Sequence, residues 1–252
     1  MFQAITWAAC GTLFTFLMTA LGAATVFFFA GAPHPRFRQA MLGFAAGVMT
    51  AASVWSLLLP AIERGEVLGL PGWLPAGAGM LLGAVFLAAM DLWLTRLQEN
   101  RLHFPGSRGS ALLAAAITLH NIPEGMAVGL AFALAAGGDH IAGAVALAAG
   151  IGIQNFPEGA AISLPLRQEG FSRRQAFLGG AMSGSVEPIF GVLVVLFAAG
   201  ATPLMPWLLS FAAGAMLYVV AEELIPQAHS RLGTCGFVAG FLVMMVLDTA
   251  LG

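Results

Sequence analysis

Two short stretches of this chain repeat one another. Residues 120–125 read HNIPEG, and residues 154–159 read QNFPEG, so that Asn, Pro and Glu recur in the same order with the same spacing. Each stretch lies near the middle of a long apolar segment, where carboxylates are rare because the bilayer interior disfavours charge. The pair therefore indicates two neighbouring membrane-spanning helices that carry matching polar groups at similar depth.

The composition indicates that the solvent of this 252-residue chain is lipid. Hydrophobic residues make up 59% of it and charged residues only 9%, against about 25% charged in soluble domains. All ten basic residues are arginines. The absence of lysine excludes Schiff-base chemistry, and the absence of a basic block gives no surface for nucleic acid. Cys10 and Cys235 are expected to be inert helix residues.

Apolar stretches of about 20 residues, the length that spans a bilayer, recur along the whole chain. The sequence predicts eight transmembrane helices, at residues 4–30, 38–60, 72–95, 110–136, 140–164, 174–199, 206–226 and 234–251. Short polar breaks separate them, for example at residues 63–66 and 227–231. No stretch resembles a separate soluble domain, so residues 1–252 are predicted to form one all-α integral membrane domain.

The placement of arginine predicts the orientation. The breaks after helices 1, 3, 5 and 7 hold nine arginines, whereas the breaks on the other side hold Arg64 alone. Arginine-rich loops stay in the cytoplasm, so both termini are expected on the extracytoplasmic side. The small loops and the lack of a targeting segment favour a bacterial inner membrane, and a eukaryotic organelle stays open.

Related segments run in opposite directions. Predicted helices 4 and 5 are antiparallel and share the repeated motif. More faintly, residues 44–49 of helix 2 read FAAGVM and residues 211–216 of helix 7 read FAAGAM. Inverted repeats of this kind are common in transporters, whose sites lie near the membrane midplane between the repeats.

The motif has the chemistry of a metal site. His120 and Glu124 lie one turn apart on one helix face, and Gln154 and Glu158 repeat that spacing in the next helix. Carboxylates at this depth are accounted for if a cation neutralises them. Imidazole nitrogen with carboxylate oxygen suits Zn²⁺, Fe²⁺, Mn²⁺ or Co²⁺. The lack of thiolates argues against copper(I).

Asn-x-Pro-Glu-Gly in consecutive fourth and fifth helices resembles the ZIP (Zrt/Irt-like) family of metal transporters. The resemblance implies eight helices, both termini outside, and helices 1–3 repeated in inverted form as helices 6–8. It implies transport of Zn²⁺ into the cytoplasm, with Fe²⁺, Mn²⁺ and Cd²⁺ as further cargoes and no resident cofactor. The metal ligands that it implies are Met49, His120, Asn121, Glu124, Gln154, Asn155, Glu158 and Glu187. The six motif residues would form two adjacent metal positions, with Glu124 and Glu158 as candidate bridges, and Met49 and Glu187 would add ligands from helices 2 and 6.

The chain departs from the family pattern in two places. Many relatives have His where Gln154 stands, and an amide is a weaker, uncharged ligand. The loop between helices 3 and 4 is short and holds only His103, which argues against metal sensing by that loop.

Several acids outside the motif have two interpretations. Asp91, Glu222 and Glu223 lie toward the predicted cytoplasmic ends of helices 3 and 7. They either line an exit path for the metal or are interfacial acids at helix ends. Asp248 is predicted to be interfacial, and His140 to lie in a solvated outer turn.

Other functions stay open at this point. An intramembrane metallo-hydrolase would need three protein ligands and an open coordination position. The His-Glu-x-x-His signature is absent and only His120 lies within a span, so no enzyme is predicted. The sequence separates neither a channel from a carrier nor a monomer from a homodimer.

Overall fold

The computed structural model describes residues 1–29, 34–99, 108–138, 141–200 and 202–251. These residues form eight long helical segments, which we name α1 to α8. They are α1 (Phe2–Phe27), α2 (Pro35–Val67), α3 (Trp73–Glu99), α4 (Arg108–Ala136), α5 (Ile141–Gln168), α6 (Arg173–Ser183 and Val186–Ala199), α7 (Met205–Ala228) and α8 (Arg231–Leu251). The described residues contain no β-strand.

Each predicted span has a helical counterpart. Six of these helices, α1, α2, α3, α6, α7 and α8, are long and apolar enough to cross a membrane, as judged on the described residues. Helices α4 and α5 are not among the six. They carry the two polar motifs, and polar residues lower the hydropathy of the segments that contain them. Breaks are predicted at residues 101–108 and 137–140; of these, residues 101–107, with His103, and residues 139–140 lie outside the described residues.

One predicted break is wrong. Residues 63–66 belong to α2, which continues to Val67 and ends before Gly69, a residue with φ of +76°. In this last part of α2, Ala61 and Gly65 are buried. Glu63 and Glu66 are exposed on the opposite side. The segment is therefore an amphipathic helix end, which hydropathy alone does not distinguish from a loop.

The helices pack in two groups of four. The first group contains α1, α4, α5 and α6, with α1 against α5 and α4 against α6. The second contains α2, α3, α7 and α8, with α2 against α8 and α3 against α7. Small residues permit this close packing, as is usual between membrane helices. A Cβ added at Gly47 of α2, for example, would overlap the carbonyl of Phe237 in α8.

The distribution of side chains is that of a protein in lipid. Large apolar side chains such as Leu17, Leu81 and Phe197 are exposed on the outside. The interior, in contrast, holds polar side chains such as Thr15 and Gln154, neither of which has any exposed surface. This arrangement fits a multi-pass membrane protein, whose helices meet lipid outside and bury their polar groups among themselves.

Two helices contain a π-helical turn. In α2 it covers Ser53–Leu58, and in α7 it covers Val220–Leu224. Each turn begins four residues after the methionine of the FAAGxM stretch, Met49 or Met216. Wide turns of this type are rare and occur frequently at functional sites.

Candidate metal site

Polar side chains of α4 and α5 meet in the interior of the first helix group. Glu124 is 1% exposed and Gln154 is fully buried. The Gln154 amide nitrogen Nε2 donates to Glu124 Oε1 at 2.7 Å and to Asn155 Oδ1 at 3.3 Å. The two repeated motifs are thus in direct contact, as their matching positions predict.

Helix α6 adds a second carboxylate, Glu187, which is fully buried. Asn155 Nδ2 lies 2.9 Å from each oxygen of Glu187 and donates to them, and the Thr19 hydroxyl donates to Oε1 at 3.3 Å. Asn155 Nδ2 also lies 3.4 Å from the Thr15 carbonyl of α1. The Glu187 carboxylate therefore joins α6 to α1 and α5.

A close approach of backbones places Glu187 beside Glu124. A Cβ added at Gly125, the residue after Glu124, would lie 2.5 Å from the backbone oxygen of Glu187 and 2.6 Å from its Cα. Only glycine permits α4 and α6 to come this close. This is a physical reason for the glycine at the end of the first motif.

Several buried polar atoms in the site have no hydrogen-bond partner. They are both amide atoms of Asn121, Oε2 of Glu124 and Oε1 of Gln154. An unpaired buried polar group costs roughly 1–3 kcal/mol, and native proteins contain few of them. Three of these four atoms are oxygens. Oxygen atoms in this state are suited to accept a cation.

His120 contacts an acid of the other helix group. Its Nε2 lies 3.2 Å from Glu223 Oε1, in the π-helical turn of α7. Glu223 in turn interacts electrostatically with Asp91 and Glu222, and Tyr218 hydrogen-bonds to Asp91. The three acids predicted from sequence as a possible exit path therefore form one group, and it is connected to His120.

For two further predicted ligands, Glu158 and Met49, the structure shows burial or electrostatic range, in place of a hydrogen bond to the other predicted ligands. Glu158 is half-buried and within electrostatic range of Glu124 and Glu223. Met49 is fully buried in the main hydrophobic core. The bridging role of Glu158 and the ligand role of Met49 stay predictions. In the described part of the chain, no three His, Cys, Asp or Glu side chains form a cluster that could hold a metal. Three of the eight predicted ligands, Asn121, Gln154 and Asn155, are amides.

Sequence reasoning missed four residues of this polar interior. Thr15 and Thr19 accompany Glu187, Tyr218 accompanies Asp91, and Ser56 Oγ donates to Asp248 Oδ1 at 2.6 Å. Asp248, predicted to be interfacial, is half-buried between α8 and α2, and its Oδ2 has no partner.

A signal for the threonines exists in the sequence. Thr12, Thr15 and Thr19 have the spacing of one helix face, and all three are buried. A polar stripe of this kind in an otherwise apolar helix indicates contact with other polar groups inside the protein.

Cavities lie at opposite ends of α1, α2 and α7. One, of about 590 Å³, is lined by Met1 and Arg64 among apolar residues. The other, of about 790 Å³, is lined by apolar side chains together with His34, Arg38 and Glu223. The second cavity reaches the acid that contacts His120, so it connects the polar interior with the arginine-rich end of the helices.

A helical membrane protein with carboxylates, amides and an imidazole buried between antiparallel motif helices has the form of an ion transporter. The comparisons with known proteins agree. Residues 98–248 match the family model described as ZIP zinc transporter, and the chain belongs to this family.

Relatives match over most of the chain. Zinc transporter ZIP11 of Bos taurus is 39% identical, with 98% of each chain covered. Zinc transporter GufA of Myxococcus xanthus is 39% identical over 84% of this chain and 86% of its own. Zinc transporter ZIPB of Bordetella bronchiseptica is 38% identical over 98% of this chain and 82% of its own. The resemblance predicted from the motif is therefore confirmed.

Proposed function

We propose that this chain transports Zn²⁺ into the cytoplasm and that the ion passes between the two motif helices. Its ligands are drawn from Met49, His120, Asn121, Glu124, Gln154, Asn155, Glu158 and Glu187. Fe²⁺, Mn²⁺ and Cd²⁺ are the competing cargoes. Membership of a zinc transporter family supports a divalent metal as the substrate.

The observation that carries the proposal is the incomplete hydrogen bonding at Glu124. One oxygen of this carboxylate accepts from Gln154, while the other is buried without a partner, as are Gln154 Oε1 and the Asn121 amide. A divalent cation would satisfy these oxygens together and neutralise the charge of Glu124. Carboxylate oxygen with a nearby imidazole is a donor set that Zn²⁺ accepts.

The route toward the cytoplasm follows the group of acids. From the site, His120 leads to Glu223, and Glu223 lines the cavity of about 790 Å³ at the arginine-rich end. Asp91 and Glu222 stand beside this path. Acidic side chains placed one after another along a narrow polar passage attract a cation and lower its energy there.

The membrane arrangement is part of the proposal. All eight helices span the membrane, as one domain, with both termini outside the cytoplasm of a bacterial inner membrane, and two chains form a homodimer. An inverted repeat relates α1–α3 to α6–α8 and α4 to α5. Helix packing supports the repeat. If each helix is replaced by its repeat partner, the packed pair α2–α8 becomes the packed pair α7–α3, and the packed pair α1–α5 becomes the packed pair α6–α4. The matching π-helical turns of α2 and α7 support it as well.

The proposal excludes an enzymatic role, and the names of the relatives, all transporters, are consistent with this. An intramembrane hydrolase would need a nucleophilic water on a metal with three protein ligands. Purified protein should accordingly move Zn²⁺ and leave peptide and lipid substrates intact.

The test is metal flux into proteoliposomes that hold the purified chain and a fluorescent zinc indicator. Wild-type protein should give saturable Zn²⁺ flux, and parallel assays with Fe²⁺, Mn²⁺ and Cd²⁺ give the order of preference. Glu124→Gln and Glu158→Gln should lose most of the flux at normal reconstitution levels. Glu63→Gln, at an exposed position in the last turns of α2, is the matched control and should transport normally. Near-normal flux in both site variants would refute the proposed site.

A further inference from the structure

Glu124 and Glu187 are connected by a continuous chain of hydrogen bonds that passes through two amides. Gln154 Nε2 donates to Glu124 Oε1 and to Asn155 Oδ1. Asn155 Nδ2 then donates to both oxygens of Glu187. The acceptor role of Asn155 Oδ1 fixes the orientation of that amide, because its nitrogen must then face Glu187. Both amides therefore direct their nitrogens toward carboxylates.

The Glu124 and Glu187 carboxylates differ in whether both of their oxygens have a hydrogen-bond partner. Both oxygens of Glu187 accept hydrogen bonds, from Asn155 and, at Oε1, also from Thr19. Glu124, in contrast, has a buried oxygen without a partner, and the unpartnered atoms of Asn121 and Gln154 are also part of the interior. Open oxygen acceptors are thus found at the Glu124 end of the chain of hydrogen bonds.

The backbone around Glu187 holds its side chain in this position. A Cβ added at Gly184, one turn before Glu187, would lie 2.9 Å from the Thr19 hydroxyl and 3.1 Å from Glu187 Oε1. On the other side, Gly125 of α4 touches the backbone of Glu187. Helices α1 and α4 therefore enclose this part of α6, and little room exists for the carboxylate to turn toward a different partner.

From this geometry we infer that the site holds a single divalent ion, at Glu124, and that Glu187 is a positioning residue and not a metal ligand. The inference deepens the proposed function and rests on it. An amide nitrogen is a donor and does not ligate a cation. At Glu187 the Asn155 NH₂ group occupies the place that a second ion would need. Gln154 and Asn155 thereby connect the Glu124 and Glu187 carboxylates by hydrogen bonds alone.

The Glu187 carboxylate is accommodated without a metal ion beside it. Asn155 contributes no charge, and Glu187 accepts hydrogen bonds from two side chains, Thr19 of α1 and Asn155 of α5. A carboxylate that accepts several hydrogen bonds in the interior does not require a cation to be accommodated. Exchanging the Asn155 amide for a carboxylate removes the donor and adds a ligand in a single step.

The experiment is equilibrium dialysis of the purified full chain in detergent against Zn²⁺, with Cd²⁺ as a second probe, followed by elemental analysis of the bound metal. The wild-type chain should bind one equivalent per chain. Asn155→Asp should gain a second equivalent. Glu187→Gln keeps an acceptor oxygen for Asn155 and Thr19 and should still bind one equivalent. Its Kd should rise by roughly tenfold, the lower end of effects for residues that orient ligands.

Glu124→Gln is the contrasting variant, because it removes a ligand, and it should abolish measurable binding. Two equivalents in the wild-type chain would overturn the inference, as would loss of the bound ion in Glu187→Gln to the same extent as in Glu124→Gln. Because Glu187→Gln is isosteric, the comparison stands even if Asn155→Asp fails to fold. Failure of the proposed function gives a different result: saturable binding without flux in proteoliposomes refutes transport alone, and no binding in the wild-type chain refutes both.

Discussion

Replacing Glu124 by Gln should raise the thermal stability of the metal-free protein and lower that of the zinc-loaded protein. The carboxylate is 1% exposed and has a partner at one oxygen only. Insertion scales assign a charged acid at mid-membrane about 2.5–3.5 kcal/mol. The hydrogen bond from Gln154 to a charged group offsets about 1.5 kcal/mol of this. Removing the charge should therefore stabilise the metal-free protein by about 1.5 kcal/mol, or about 3–6 °C in Tm for a chain of this size.

Zinc should reverse the order. At a free concentration of 100 times Kd, a ligand that binds only the folded state stabilises it by about 2.7 kcal/mol. The wild-type protein gains this amount and the variant does not, so the wild-type protein should then unfold about 2–5 °C later than the variant. The assay is thermal unfolding of the purified proteins in detergent, with and without zinc. Glu63→Gln should follow the wild-type protein in both conditions. An equal zinc-induced shift in Glu124→Gln and in the wild-type protein would refute the reasoning.

Three further predictions concern acidity, packing and orientation. Metal binding must displace protons from imidazole and carboxylate ligands, so zinc affinity measured by calorimetry should fall as pH drops from 7.5 to about 5.5; a flat profile would contradict a site that includes His120. Gly125→Ala forces α4 away from Glu187 and should cost about 1–3 kcal/mol of stability together with most of the flux, whereas Gly77→Ala, with no atom within 4 Å of the added Cβ, should change neither. Single cysteines at Gly200 and Gly170 should react with an impermeant thiol reagent from the outside and from the cytoplasmic side, respectively, and the reverse pattern would overturn the orientation.

The repeated motif made much of the first helix group predictable from sequence. Asn, Pro and Glu at equal spacing in adjacent apolar segments placed α4 and α5 side by side, and the contact between Gln154 and Glu124 follows from that placement. What the motif did not contain was the direction of each amide. Whether Asn155 offers oxygen or nitrogen to Glu187 depends on its neighbour Gln154, and hence on tertiary contacts that no spacing rule describes.

Contacts between distant helices were the least predictable part. The pair of His120 with Glu223 joins residues that lie 103 positions apart in sequence, and Ser56 with Asp248 joins residues 192 positions apart. Asp248 stands near the end of its helix, and the sequence predicted no partner for it. Its burial depends on the serine of α2, which has no distinctive sequence context. The end of α2 was misplaced for a related reason, because acids on the exposed side of a helix end resemble a loop when only hydropathy is considered.

The π-helical turns of α2 and α7 have a geometric consequence for the side chains that they carry. Each contains about one residue more than an α-turn. If the turn at Val220–Leu224 tightened to α-geometry, everything beyond it would rotate by about 100° and advance by about 1.5 Å relative to the first part of α7. Glu222 and Glu223 lie inside this turn. The direction in which the Glu223 side chain leaves the helix, and hence its contact with His120, therefore depends on the one extra residue in the turn. A change of this turn from π to α geometry would therefore separate Glu223 from His120, at a contact between the two helix groups.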